Sequence, residues 1–451
     1  MIRPSEGICT VAAPPTGRRA SRWHRALIAG ALSLVTFAAT ACGGGSAPPT
    51  GGDPNEPVTL RFYWWGSDSR HEYTQQLIEQ YEAANPNVTI EAEFSGFDDY
   101  WDRLATATAG GDAPDVMQQD TRYVREYAER GALADLSEYM PAVIDTAQLD
   151  EAVLRNGQID GQTFAIPTGV NAFALLANPK VFADTGVAVP NDETWTWDQM
   201  VQLSAQVSAA GGGQVYGVQD PAFNETTFEI FARQRGEALF NEAGDVGFTR
   251  QTLVDWWRTM IALRDTGGEA PPPITIESQA GGVDGSLTAG NRTALGSWWT
   301  NQLPALSSAT GQEMQLLRWP GESPQAGMYF KPAMFWSVSA RSEHPEAAAK
   351  FINYLINSPE AAELTLSDRG LPINTALREQ IVPQLKPADQ QSAAFLAEIG
   401  PDLADPPPLP PQGAGEVQRI LQQLHEQVLF NQLTVDQAAD QFMTELDAAT
   451  T

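Results

Sequence analysis

Tryptophan and carboxylate side chains at the ends of extended segments are the residues of this chain best equipped for chemistry. Aromatic rings stack on apolar C–H surfaces, and carboxylates, amides and arginine bond hydroxyl groups in planar geometry. The sequence has 12 Trp among 451 residues. Trp65 ends the β-branched and aromatic run 58–65, and Asp68 follows in the next turn. In open α/β sheets ligands sit beyond the carboxyl ends of strands, which directs attention to that turn. Trp64 and Trp65 point to opposite faces of a strand. Trp65, nearer the end, is the candidate for the ligand side and Trp64 for the core. Asp68 reads either as an acceptor of ligand hydroxyls or as an ordinary helix-cap acid. Nucleophile and metal chemistry are thinly supplied: four His, two Cys, no Gly-x-Ser-x-Gly elbow and no His-Glu-x-x-His helix. Neither a metal nor a cofactor is expected.

These side chains need elements to hold them. Residues 58–65 read as a strand. Ser69 with Glu72 is a capping-box pattern, and Tyr73, Leu77, Ile78 and Tyr81 recur at helical spacing up to Asn85-Pro86. Strands follow at 88–94 and 114–117, and helices at 100–109, closed by Gly110-Gly111, and at 123–130. Further strands are expected at 163–166 and 172–177. Further helices are expected at 196–210, 253–264, 345–356, 417–430 and 435–448, with another begun by Ser358-Pro359. The proline runs 271–273 and 406–411 read as loops. Strands alternating with helices predict an α/β fold with a largely parallel sheet.

The first forty residues read as an address. Arg18, Arg19, Arg22 and Arg25 precede an uncharged apolar stretch, 26–37. That stretch has the length of a secretory core and is shorter than the roughly 20 residues of a membrane-spanning helix. Ala39-Thr40-Ala41-Cys42 then leads into a Gly/Ser/Pro-rich segment suited to a tether. Cys9 lies in the leader and Cys42 at its end, so the mature chain would have no disulfide. The net charge is −29, and removing the leader, with its five Arg and one Glu, deepens it to −33. Such a surface repels nucleic acid and anionic membranes. About 400 mature residues suffice for two domains and a core that needs no disulfides.

The Ala39–Cys42 arrangement resembles a bacterial lipobox, with Ala39 where Leu is usual, and implies lipidation of Cys42. Cleavage with release is the alternative. Several further segments resemble the family-1 extracellular solute-binding proteins, the maltose-binding-protein group, in the family's order. They are Trp65-Gly66, Gly111 to Val116, Ile166-Pro167, Leu176 to Pro179, Thr196 to Met200, Gly296 to Trp299, His344 to Ala348 and Arg369 to Asn374. The resemblance implies a two-lobed, type II periplasmic-binding-protein-like α/β fold with a ligand cleft between lobes. It places a signal peptide at 1–41, a lipid-anchored tether at 42–57, one lobe at 58–167 plus 336–376, and a second at 168–335 plus 377–451. The chain would cross between lobes near Pro167, Phe335 and Ala376.

The same resemblance implies a sugar ligand, ABC permease subunits as partners, a lipid bilayer reached through the N-terminal anchor, and a monomer that binds no nucleic acid. It assigns Asp120 and Arg122 to a second ligand loop, in which Gln119 stands where an aromatic can occur. Asp220 and Phe223 fall in a third. Trp298 matches the family's stacking tryptophan, Gly296 suits close backbone approach, and Trp299 is either a contact or packing. Trp336 lies at a hinge. The aromatic often found near 407–415 is absent. Two other ligand classes stay open, a polyamine and a polyol phosphate. An exported carbohydrate-active enzyme, with carboxylates about 5–9.5 Å apart, is the rival from another class.

Overall fold

The computed structural model describes residues 56–322 and 327–450. The leader, Cys42 and nearly all of the tether lie outside them. Among the described residues no helix is long and apolar enough to cross a membrane.

Strand Val58–Trp65 shows how the alternation is used. Leu60, Phe62 and Trp64 enter one core cluster, while Tyr63 and Trp65 enter another on the opposite face. Burying each of the first three contributes on the order of 2 kcal/mol. The strand pairs in parallel with Val88–Ser95 along its full length and with Val116–Gln119 at its centre. Strands Phe335–Val338 and Ile166–Pro167 complete a five-stranded sheet in antiparallel register. A second sheet has the order Gln315–Leu317, Phe173–Ala177, Thr293–Trp299, Tyr216–Val218. Only its last pair is parallel. Both sheets are therefore mixed, not largely parallel, because the returning segments enter each sheet antiparallel to their neighbours.

A third, three-stranded sheet forms where the chain passes between the other two. Gly169–Asn171 is its middle strand, flanked by Lys331–Pro332 and Leu371–Pro372. The C-terminal helices Val417–Leu429 and Val435–Thr450 pack on each other and on helix Arg250–Asp265, beside the second sheet. Between helix Pro387–Ile399 and helix Val417–Leu429 runs a proline-rich strap, 403–413, with no regular strand or helix.

Three local expectations change. The first helix begins at Asp68, so Ser67 takes the cap position and Ser69 lies inside the helix. The capping box does not form: Ser67 Oγ and Ser69 Oγ meet each other at 3.0 Å. Asp68 instead offers its charge to the helix N-terminus from the first turn. The 271–273 proline run opens helix Pro272–Ala280 instead of forming a loop, because early helical positions have no amide to lose. Residues 163–166 divide into two short strands, Gln162–Thr163 and Ile166–Pro167. At the end of helix Phe97–Gly110, Gly111 adopts φ 78°, the left-handed cap that two successive glycines suggested.

Candidate functional site

Helix Thr121–Glu129 starts just beyond strand Val116–Gln119, and Asp120 caps it. The Asp120 carboxylate accepts from the Arg122 amide and from its Nε, both at 3.0 Å. That holds the Arg122 stem while leaving its head half exposed. The guanidinium lies 5.7 Å from the Phe97 ring and 5.9 Å from Tyr123, within cation–π range. Tyr123 in turn packs against Trp101 at 4.0 Å.

Arg122 lines a cavity of about 340 Å³, within the size range of small-molecule pockets. On the first-sheet side the wall is Thr121, Arg122 and Asn156. Opposite stand Glu225, Thr226 and Glu229 from helix Glu225–Arg233, with Leu239 and Phe240 beyond it. Tyr329 and Lys331 close one end, and Gln418, Arg419 and Gln422 of a C-terminal helix another. The strap supplies Pro407, Pro408 and Pro410. A second cavity of about 420 Å³ shares Arg122 and Gly415 with the first and adds Tyr123 and Glu126.

The strap is pinned from both sides. Arg125, 7% exposed, donates to the Leu409 carbonyl at 2.9 Å and to the Glu242 carbonyl at 3.2 Å. Arg155 pairs with the Asp405 carboxylate, and Arg233 donates to the Asp405 carbonyl. Leu409 is buried in the aromatic cluster that holds Tyr127 and Phe335.

The polar character of the cavity centres on Glu225 and Glu229, one helical turn apart on the same face. Glu225 Oε2 is buried without a hydrogen-bond partner among the described residues. Glu229 is 5% exposed, and its one hydrogen bond among the described residues is a long 3.4 Å contact from the Leu239 amide. Burial pushes the Glu229 carboxyl up to about 7. Arg233 and Lys331 oppose that rise and Glu225 adds to it. Lys331 also sits 4.8 Å over the Trp299 ring. Two acids and three bases (Arg122, Lys331, Arg419), with Tyr329 and Phe240, make a wall able to bond several hydroxyls at once.

The residues expected from the sequence divide. Arg122 lines the cavity, and Trp299 reaches its edge through Lys331. Trp298 is half-buried, its indole donating to Thr288 Oγ1 at 3.2 Å. A Cβ at Gly296 would run into Thr288 and Trp298, so the bare backbone there serves that packing. Trp65 is 7% exposed and packed on Phe97, Tyr100 and Trp101. Trp64 is fully buried, as its strand position suggested, and donates to His71 Nδ1. Trp336 is 2% exposed, edge-on to Phe62 and under Arg369. Asp68 is exposed.

Asp220 and Phe223 point inward, away from their expected role. The Asp220 side chain is fully buried, accepting from the Ala222 amide and bonded to His425 Nε2, both at 2.8 Å. Phe223 lies edge-on to His425 at 4.9 Å. Close by in charge, Glu269 is buried with both oxygens unpartnered among the described residues. Burial, and then Asp220, hold its carboxyl well above the usual range.

Glu225, Glu229, Tyr329 and Lys331 were not singled out in the sequence, and the strap only as a proline loop with an absent aromatic near 407–415. A signal existed for one of them: Glu229 interrupts the apolar run Phe228-Glu229-Ile230-Phe231, where an acid is costly without a purpose.

A family profile described as bacterial extracellular solute-binding protein matches residues 67–362. The chain belongs to that family. A Streptomyces antibioticus relative, an uncharacterized lipoprotein in the oleD 5′ region, is 26% identical over 398 residues, covering 82% of each chain. A multiple sugar-binding protein of Streptococcus mutans is 21% identical, covering 74% of this chain and 79% of its own. Among solved structures, a family 1 extracellular solute-binding protein of Alicyclobacillus acidocaldarius superposes with a TM-score of 0.74 at 29% identity. It covers 88% of this chain and 100% of its own. This solute-binding protein thus carries the periplasmic-type α/β fold that the ordered sequence segments implied.

Proposed function

We propose that this solute-binding protein captures a sugar outside the cell and hands it to an ABC permease, held at the membrane by a lipid on Cys42. One observation carries the ligand reading. A cavity in this solute-binding fold is lined by Glu225, Glu229, Asn156, Arg122 and Lys331 beside Tyr329 and Phe240. Dense donors and acceptors beside rings are what a polyhydroxylated ligand needs. The sugar-binding relative supports the ligand class, and the lipoprotein relative supports the anchor.

The proposed lobes are 58–167 with 336–376, and 168–335 with 377–451. Capture would work by hinge closure. A ligand touching both walls binds the closed state better than the open one and shifts the population by that difference. The closed form is then what the permease recognises. The protein performs no turnover in this reading.

A polyamine is the second reading, favoured by the two carboxyl groups and opposed by Lys331, Arg122 and Arg419 on the same walls. A thermal-shift screen of mono- and oligosaccharides, a polyamine and a polyol phosphate separates these, because a ligand of the native state raises the melting temperature by mass action. At least one sugar should raise it. A rise with polyamine or phosphate alone, or cleavage of an oligosaccharide, would overturn the proposal.

A further inference from the structure

Glu225 and Glu229 invite a closer question, one that rests on the sugar reading. Buried carboxyl groups are ordinarily paired, and an isolated ionised one costs several kcal/mol. Asp220 has His425, whereas Glu269, away from the cavity, has no partner among the described residues. In the cavity pair, Glu225 Oε2 has no partner among the described residues, and Glu229, 95% buried, holds only the long contact from Leu239. The two acids sit at i and i+4 on one helix face and line one cavity. A fold that leaves them unpaired on a cavity wall has left their bonds to the occupant.

We propose that Glu225 and Glu229 share one proton and together read a pair of neighbouring hydroxyls on the sugar. The neutral Glu229 carboxyl donates to one ligand oxygen, and the Glu225 carboxylate accepts from the adjacent hydroxyl. Both groups charged would set like charges together in a poorly hydrated wall. Geometry and charge agree on which acid holds the proton, because Glu229 is the deeper of the two and titrates near neutrality. The groups that face it are Glu225 and Arg233 on its own helix, Tyr329 and Lys331 from the segment across the cavity, and the Leu239 amide. Arg122, from the helix after the first sheet, and Arg419, from the C-terminal helix, are the other charged groups lining the cavity.

Capture of a neutral sugar should therefore weaken as the medium turns alkaline, and binding should take up a proton. The test is calorimetric titration of maltotriose, cellobiose, xylobiose and the tightest sugar of the screen into the full chain at pH 6, 7 and 8. Wild type should lose about tenfold in affinity from pH 6 to pH 8, the fall in protonated fraction of a group titrating near 7. Repeats in two buffers of different ionisation heat should show proton uptake at pH 8. Glu229→Gln keeps a neutral donor but cannot titrate, so its affinity profile from pH 6 to pH 8 should be flat, with no proton uptake. A flat wild-type profile, or an equally steep one in Glu229→Gln, overturns this inference and leaves the sugar reading standing. Failure of every sugar at every pH overturns both.

Discussion

Asp220 and Glu229 lie nine residues apart, both acidic and both buried, and the fold treats them in opposite ways. Asp220 accepts from a backbone amide and from His425, so its burial ties the turn before helix Glu225–Arg233 to helix Val417–Leu429. Glu229 receives one long backbone contact and opens on the cavity. The difference teaches that burial alone does not mark a ligand residue. A buried acid whose bonds are all satisfied inside holds the wall in shape; one whose bonds are left over does the reading.

That contrast can be broken by experiment. Asp220→Ala should have the largest effect, about 3 kcal/mol of stability in urea unfolding, because it strands a buried imidazole. A loss under about 1 kcal/mol would undo the contrast from the Asp220 side. Arg125→Ala should cost about 2 kcal/mol by removing a buried charged donor from two carbonyls. It should weaken sugar binding too, since the strap wall loses its anchor.

Glu229→Gln should act in the other direction, with a pH signature. The folded carboxyl titrates near 7, above an ordinary value of 4.5. The group's contribution to stability is therefore full below pH 4.5 and is lost as pH rises through 7. The variant should match wild type near pH 4.5 and exceed it by roughly 3 kcal/mol at pH 8. Equal stability at both ends would mean that Glu229 is not held neutral. The smallest effect on folding should come from Arg122→Ala. Its exposed head adds little to stability, so melting should hold while sugar affinity falls about fivefold.

The fold was largely legible because periodicity and punctuation report local structure. Val58–Trp65 declared its strand, Gly110-Gly111 its helix end, and the ordered family segments the two-sheet architecture. What misled was local ambiguity. A proline run serves equally as a loop or a helix start, and Ser69 with Glu72 looks like a cap whether or not Ser67 and Asp68 take over that turn.

The site was legible only in part. Arg122, from a loop after a strand, lines the cavity, whereas Asp220 and Phe223, placed in a ligand loop by the resemblance, are buried against His425. Their partner His425 lies 205 residues on, and no local pattern announces it. Tyr329, Lys331 and the strap reach the cavity through tertiary packing, from segments with no strand-end signature of their own.

The strap carries one more consequence. Proline has no amide hydrogen, so Pro407, Pro408 and Pro410 give that flank of the cavity carbonyl oxygens and ring C–H surface but no main-chain donors at those positions. The flank can accept from an occupant or slide along its apolar face. Hydrogen-bond donation comes from the other walls, through side chains such as Asn156, Arg122, Lys331, Arg419 and Glu229. Proline rings also restrict the chain before anything binds. Less freedom is then left to freeze on capture, and more of each contact formed there is retained as affinity.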